Sequence, residues 1–139
     1  MRSPRTFVDT NLFIYLFDAR DPIKSARAKE AILKLGDRVV LSTQVLQEFY
    51  WATTKKAILD VHKAREAVAS MSEFEVVALT PSIVSDAIDI SIVNKLSIWD
   101  SLIVQSAIAG RCERLLTEDL NHGQRIKGVL VENPLRELE

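Results

Sequence analysis

Four carboxylate side chains, Asp9, Glu48, Asp100 and Asp119, stand in stretches of the sequence that are otherwise apolar. Each follows or interrupts a run of aliphatic or aromatic residues, where folding normally selects another apolar side chain. Because an unpaired buried carboxylate is costly, each position requires a compensating partner. A divalent cation can compensate several carboxylates at once, so the sequence predicts a metal site formed by these four side chains.

The chemistry of these side chains selects the type of metal ion. Carboxylate oxygens favour hard cations such as Mg²⁺ or Mn²⁺, and the lack of a Cys and His cluster argues against structural zinc. We expect one or two ions that activate water for in-line attack on a phosphodiester. Asp9 and Asp100 are predicted to ligate the principal ion directly, and Glu48 and Asp119 to act through waters or on a second ion. Neighbouring polar residues are predicted to orient the carboxylates or the scissile phosphate: Thr10, Asn11 and Thr117.

Strand and helix patterns alternate along the chain, and this order determines where the acids lie. Short apolar runs predict strands at 5–8, 39–41, 74–79, 114–117 and 129–131. Helical spacing with cap residues at Asp21, Ser42 or Thr43, Asp60 and Thr80 predicts helices at 11–17, 22–35, 43–56, 61–71, 81–92 and 97–109. This alternation favours a three-layer α/β/α sandwich with a central, mostly parallel sheet and right-handed crossovers. Ligands of such sheets bind beyond the carboxyl ends of the strands, where Asp9 and Asp119 fall.

Helical spacing also predicts which way the other two acids point. Asp100 shares a helical face with Ile103 and its apolar neighbours, and Glu48 shares one with Val45 and Trp51. We therefore expect both carboxylates to face packed surface rather than water.

Each acid also has an ordinary structural interpretation. Asp9 could cap the following helix, Asp100 could favour the dipole of a first turn, and Asp119 with Gly123 could belong to turn chemistry. Glu48 has the weakest such explanation, because a mid-helix carboxylate gains nothing from capping. The metal hypothesis accounts for all four positions together.

The remaining titratable residues give weaker signals. Asp86 and Asp89 lie off the apolar line of their helix and are interpreted as solvent-facing acids outside the site. His62 is interpreted as a solvated helix residue, whereas His122 is a surface turn residue that could contact substrate. Cys112 lacks a His partner, and we expect it to pack at a helix end.

Composition limits the class of protein. The chain has 139 residues, 47% of them apolar and 27% charged, which predicts one soluble domain over 1–139. A formal net charge of −1 excludes a uniformly basic nucleic-acid-binding surface. With one cysteine no internal disulfide can form, and neither a signal peptide nor a membrane span is evident, so we expect a cytoplasmic protein.

Four segments resemble the motifs of the PIN domain family, and within it VapC-type toxins. They are FVDTNLFIY at 7–15, LSTQVLQEFY at 41–50, IWDSLI at 98–103 and LLTEDLNHG at 115–123, and the similarity continues to 128–134. The resemblance implies a metal-dependent ribonuclease with a central parallel sheet, usually dimeric and held inactive by a cognate antitoxin. The closing segment carries Leu135 where relatives often have Phe, a difference that concerns packing more than chemistry.

Two other functions remain open from the sequence. A phosphotransfer enzyme would use Asp9 as a covalent nucleophile, but Asn11 stands where its second acid is expected. A stand-alone PIN-like protein that processes or only binds RNA is the other alternative.

Aromatic and aliphatic residues carry further expectations. We place Ile88 and Ile92 on the inner face of their helix, and we interpret Tyr15, Tyr50 and Trp99 as core residues. The alternative for the three aromatic residues is stacking on bases. Basic side chains that could contact an RNA backbone are Lys24, Arg27, Lys55, Lys56, Lys63, Arg65, Arg111 and Arg125.

Overall fold

A six-stranded sheet forms the centre of the computed structural model, which describes residues 4–136. The strands are β1 (Thr6–Val8), β2 (Val39–Ser42), β3 (Glu75–Val77), β4 (Arg114–Leu116), β5 (Arg125–Ile126) and β6 (Val129–Glu132). Their order is β3-β2-β1-β4-β6-β5, and every pairing is parallel except that of β5 with β6. The predicted α/β/α sandwich with a mostly parallel sheet is confirmed.

Six helices cover the sheet. They are α1 (Thr10–Tyr15), α2 (Pro22–Leu35), α3 (Thr43–Lys55), α4 (Val61–Met71), α5 (Pro81–Asn94) and α6 (Ile98–Ala109). Helix α6 packs on β1, β2, β4 and β6 and also on α5, whereas α1 packs on α2 and α3, and α3 packs on α4. Within residues 4–136, no helix combines the length and apolar character needed to cross a bilayer.

The helix starts follow local capping chemistry. The side chains of Asp21, Ser42, Asp60 and Thr80 accept hydrogen bonds from backbone N–H groups in the first turns of α2, α3, α4 and α5. These caps satisfy N–H groups that have no partner within the helix. The four predicted caps are confirmed, with Ser42 rather than Thr43 capping α3.

The core lies where β1, β2 and β4 meet the inner faces of the helices. Strand β1 is buried on both faces, and Phe7, Phe13 and Phe49 are among the largest fully buried side chains. A strand covered on both faces is continuously apolar, which explains the unbroken run that ends at Asp9.

The sequence predicted burial for four side chains that are exposed in the structure. Ile88 and Ile92 lie on the outer side of α5, with 45% and 71% of their surface exposed, because Ile83, Ala87 and Ile90 fill the inner face. Tyr50 and Trp99 are exposed on α3 and α6, and Tyr15 is half-buried.

Strand β5 was not predicted, because two residues carry no periodicity and the strand pairs only with β6.

Candidate metal centre

The carboxyl ends of β1 and β4 bring Asp9 next to Thr117. Val8 pairs with Leu116, and the Asp9 N–H donates to the Leu116 carbonyl at 2.9 Å. Strands β1 and β4 therefore end side by side at the same edge of the sheet. The Thr117 hydroxyl donates to Asp9 Oδ2 at 2.8 Å, and the Thr10 N–H donates to Asp9 Oδ1 at 2.7 Å. Each oxygen of this carboxylate therefore accepts a hydrogen bond, Oδ1 from Thr10 and Oδ2 from Thr117.

A second set of hydrogen bonds connects the helices to this edge. The Thr10 hydroxyl donates to Glu48 Oε1 at 3.1 Å, and Asn11 Nδ2 donates to Asp119 Oδ2 at 3.1 Å. The Asp119 N–H in turn donates to the Thr117 hydroxyl at 3.1 Å. Residues from α1, α3 and the segment after β4 thus form one network.

Helix α6 supplies the fourth acid. Its first turn is capped by Ser97, whose side chain accepts from the Asp100 N–H at 3.0 Å. Gln44 Nε2 donates to the Trp99 carbonyl at 3.3 Å and so links the first turns of α3 and α6. Asp100 follows Trp99 directly, so this link holds the acid close to the start of α3.

All four predicted acids line a single cavity of about 240 Å³. The same cavity is lined by Thr10 and Asn11, whereas Thr117 lies buried behind Asp9. Its full set of lining residues is Asp9, Thr10, Asn11, Ile14, Gln44, Glu48, Trp51, Ala52, Trp99, Asp100, Ile103 and Asp119. The side chains do not close into a cage: within residues 4–136, no three Asp, Glu, His or Cys side chains are positioned to hold a metal ion directly.

Burial and mutual repulsion alter the acidity of this cluster. Burial raises the pKa of Asp9 to about 7, against hydrogen bonds from Thr117 and Thr10 that lower it. The pKa values of Glu48 and Asp119 are also raised, first by burial and then by neighbouring carboxylates, including Asp100. A nearby cation would favour the charged forms of all these groups.

The donor set fits a hard divalent cation. The Asn11 Oδ1 and Gln44 Oε1 atoms are buried without a hydrogen-bond donor, and both residues line the cavity. These amide oxygens add to the carboxylate oxygens, and neither His nor Cys is among the lining residues. Oxygen donors alone suit Mg²⁺ or Mn²⁺ rather than zinc.

Exposure of the acids differs from the sequence prediction. Asp9 is 5% exposed and Asp100 is partly buried, but Glu48 and Asp119 are exposed at the mouth of the cavity. Trp51, which was expected to share a packed face with Glu48, is also exposed. Amphipathic spacing cannot distinguish a helical face that packs on the core from one that borders a cleft.

Glu118 is adjacent to Asp119 but does not line the cavity. Its carboxylate accepts from the Tyr15 hydroxyl at 2.6 Å and from Lys24 Nζ at 3.2 Å. These contacts fix the segment after β4 against α1 and α2, and Asp119 remains at the cavity mouth.

Other candidate residues lie elsewhere. His122 Nδ1 accepts from the Asn133 N–H at 3.0 Å and lines a separate cavity with Arg27. Cys112 is buried, and burial raises the pKa of its thiol to about 12, which agrees with a packing role. The predictions that His62 and the acids Asp86 and Asp89 are solvent-exposed are confirmed.

Sequence reasoning missed Gln44 and the position of Trp51. Gln44 precedes Glu48 by four residues, so both lie on one helical face, and this spacing was the available signal. The exposure of Trp51 had no comparable signal.

The PIN domain family model matches residues 6–126. Since this match covers most of the chain, the chain belongs to the PIN domain family. No curated protein matches significantly.

Solved structures share the fold. A toxin-antitoxin complex from Klebsiella pneumoniae matches at 23% identity and a TM-score of 0.72, covering 93% of this chain and 97% of the other. DNA-bound VapBC from Salmonella typhimurium matches at 20% identity and a TM-score of 0.69, covering 95% and 99%. VapC20 of Mycobacterium tuberculosis, described as a sarcin-ricin loop cleaving toxin, matches at 20% identity and a TM-score of 0.66, covering 79% and 86%.

Proposed function

We propose that this protein is a metal-dependent endoribonuclease that hydrolyses RNA phosphodiester bonds and acts as the toxin of a type II toxin-antitoxin pair. The observation that carries this proposal is the meeting of Asp9, Glu48, Asp100 and Asp119 in one cavity at the carboxyl edge of the sheet. Membership of the PIN domain family and the fold shared with proteins described as toxins support it.

The acids and the polar residues around the cavity have different proposed roles. Asp9 and Asp100 would hold the principal Mg²⁺ or Mn²⁺ ion, and Glu48 and Asp119 would act through waters or on a second ion. When bound, the ion supplies positive charge for the phosphate oxygens and makes an attacking water more acidic. Thr117 and Thr10 keep both Asp9 oxygens oriented, and Asn11 orients Asp119.

A covalent phosphotransfer mechanism has less support. Both Asp9 oxygens accept hydrogen bonds, and no Lys or Arg is among the residues that line the cavity within the described part of the chain. A phosphate on Asp9 would therefore have no side-chain cation beside it. A phosphoenzyme trapped on Asp9 would establish this alternative.

The partners proposed are an antitoxin protein and a second copy of the chain. An apolar cavity of about 560 Å³ between α1, α2 and α4, lined by Phe13, Phe17 and Met71 among others, offers a surface for the antitoxin. The outer stripe of α5 with Ile88 and Ile92 supports a homodimer, because exposed aliphatic stripes commonly mark interfaces. The homodimer is tested by comparing the sedimenting mass of wild type with that of Ile88→Lys.

RNA cleavage tests the proposed function. Structured and single-stranded RNAs are incubated with Mg²⁺, Mn²⁺ or chelator, using wild type, Asp9→Asn, Asp100→Asn and the control Asp86→Asn, which alters an exposed acid outside the cavity. We expect cleavage only with metal. The cleavage rate should fall by more than about 100-fold in the first two variants, which is more than the loss typical for residues that only hydrogen-bond a metal ligand. Activity that survives chelation or both substitutions would overturn the nuclease proposal, and RNA binding without cleavage would indicate a binding module.

A further inference from the structure

Both tryptophans of the chain lie at the acid cavity. Trp51 on α3 and Trp99 on α6 are 63% and 66% exposed, and both line the cavity that contains the four carboxylates. Tryptophan is normally buried to a large extent, because its indole ring contributes more apolar area than any other side chain. Two exposed indoles at one cavity therefore offer flat apolar surfaces on which a planar group could stack.

The charge of the cavity narrows the ligand further. Its lining includes four carboxylates and, among the described residues, neither Lys nor Arg. These side chains repel a phosphate backbone unless cations intervene, so they cannot hold a nucleic acid by direct ion pairs. Base stacking on aromatic rings is a mode of binding that these walls do offer, and it tolerates any base sequence.

Both tryptophans are carried by helices that are hydrogen-bonded to each other. Gln44 Nε2 donates to the Trp99 carbonyl, which connects the first turn of α6 to α3. Trp51 lies in the second half of α3, and Trp99 lies in the first turn of α6. The two rings therefore stand on helices, not on loops, at the same cavity.

We propose that Trp51 and Trp99 stack on unpaired bases next to the scissile phosphate, so that the substrate is selected for single-stranded or looped regions. This inference rests on the proposed nuclease function for its chemistry. Paired bases are already stacked within a duplex and cannot be splayed onto the rings without unpairing, which gives the selection. Trp51 and Trp99 are thus positioning residues that bind substrate beside the carboxylates.

Intrinsic fluorescence tests the proposal, because Trp51 and Trp99 are the only tryptophans in the chain. Wild type is titrated in Ca²⁺, a cation with the same preference for oxygen ligands, with single-stranded 12-nucleotide oligoadenylate, an abasic oligomer of the same length, or a 12-base-pair duplex. The intactness of each oligomer is checked on a gel. We expect quenching by oligoadenylate and at least about fivefold weaker binding of the abasic oligomer and the duplex.

Variants assign the effect to the two rings. We expect Trp51→Ala and Trp99→Ala each to weaken oligoadenylate binding, measured by fluorescence anisotropy of a labelled oligomer, by about 5- to 100-fold. Trp51→Phe and Trp99→Phe should retain binding within about threefold. Tyr50→Ala is the matched control, since Tyr50 is an exposed aromatic residue of α3 that does not line the cavity, and its affinity should be unchanged.

The proposal would be overturned if wild type bound the abasic oligomer as tightly as oligoadenylate, or if both alanine variants bound oligoadenylate as tightly as wild type. A change in sedimenting mass of the alanine variants without a change in affinity would instead assign the rings to a protein interface. If wild type cleaves RNA but the alanine variants bind oligoadenylate as tightly as wild type, this inference alone fails. If affinity depends on the tryptophans and no RNA is cleaved, the proposed function fails and the binding mode stands.

Discussion

Asp9 is the acid whose orientation the fold controls most closely. It follows a fully buried strand, its two oxygens accept from Thr117 and Thr10, and only 5% of its surface is exposed. Burial raises the pKa of Asp9 to about 7, so its charged form is costly near neutral pH. Asp9 also caps α1, since its Oδ1 accepts from the Thr10 N–H, so the capping role considered from the sequence is present beside the proposed metal role.

The stability of the metal-free protein should depend on pH through Asp9. Its folded-state pKa lies above its unfolded value of 3.8, so the folded state keeps a proton that the unfolded state releases, and stability falls between about pH 4 and pH 7. Asp9→Asn removes this loss. The free energy of unfolding of the variant minus that of wild type should therefore be larger at pH 7 than at pH 4 by a few kcal/mol, since one pKa unit corresponds to about 1.4 kcal/mol. Urea unfolding at both pH values in chelator measures it. A difference between variant and wild type that is the same at both pH values would contradict the pKa assignment.

Thr117 should act through Asp9 and Asp119. Its hydroxyl donates to one carboxylate and accepts from the backbone of the other residue, and Thr117→Val removes both contacts while keeping the shape. We expect metal affinity and cleavage to fall by about 10- to 100-fold. Thr117→Ser keeps the hydroxyl and should stay near wild type. Calorimetric Mg²⁺ titration and cleavage rates of the three proteins test this, and a valine variant equal to wild type would exclude the positioning role.

At the scale of elements, the end of α6 determines how closely that helix packs on the sheet. A Cβ atom at Gly110 would lie 2.9 Å from Val40 Cγ1 of β2 and 3.2 Å from Val77 Cγ2 of β3. The φ angle of Gly110 is −80°, so the need for glycine is steric rather than conformational. This contact limits how closely the C-terminal end of α6 can approach β2 and β3.

Gly110→Ala should destabilise the fold. Although alanine is the better helix former, overpacking against β-branched side chains typically costs about 1 to 3 kcal/mol. The penalty should be smaller in a Val40→Ala background, because the nearest methyl group is then absent. Chemical unfolding of the two single variants and the double variant measures the coupling. Stabilisation by Gly110→Ala in the wild-type background would contradict the close packing.

Local signals explain which elements could be predicted. The capped helices and the apolar strands depend on residues close in sequence, so caps such as Asp60 and Thr80 and the run before Asp9 indicated them correctly. Strand β5 exists only through its pairing with β6 across Lys127 and Gly128, which both have positive φ. A two-residue strand that depends on such a turn leaves no pattern of its own.

The outer faces of the helices were less predictable for the same reason. Helix α5 carries isoleucine or valine on several sides, so the sequence could not indicate that Ile92 faces outward. Trp51 and Trp99 were equally ambiguous, because an apolar ring at a cavity mouth has the same spacing as one in the core. The four acids were predictable as candidates, since a carboxylate within an apolar run conflicts with the energetics of burial.

At the scale of the whole molecule, the distribution of charge matters more than its total. The formal net charge is only −1, yet four carboxylates line one cavity whose described lining residues include no Lys or Arg. The fold thus concentrates repulsion at the carboxyl edge of the sheet. We expect such local repulsion to destabilise the metal-free protein and to favour cation binding.

Removing one charge should relieve this repulsion. We expect metal-free Asp100→Asn to melt no lower than wild type and to lose most of the stabilisation that Mg²⁺ gives to wild type. Thermal melts in chelator and in Mg²⁺ measure both effects. A large drop in melting temperature without metal would identify Asp100 as a purely structural acid.

Calorimetric titration with Mn²⁺ at neutral pH tests most directly whether the four carboxylates form one metal site. Wild type and the exposed-acid control Asp86→Asn should bind one or two ions per chain with equal affinity, whereas Asp9→Asn and Asp100→Asn should each bind at least about tenfold more weakly. Absence of Mn²⁺ binding to wild type, or equal affinity in all four proteins, would contradict the metal site.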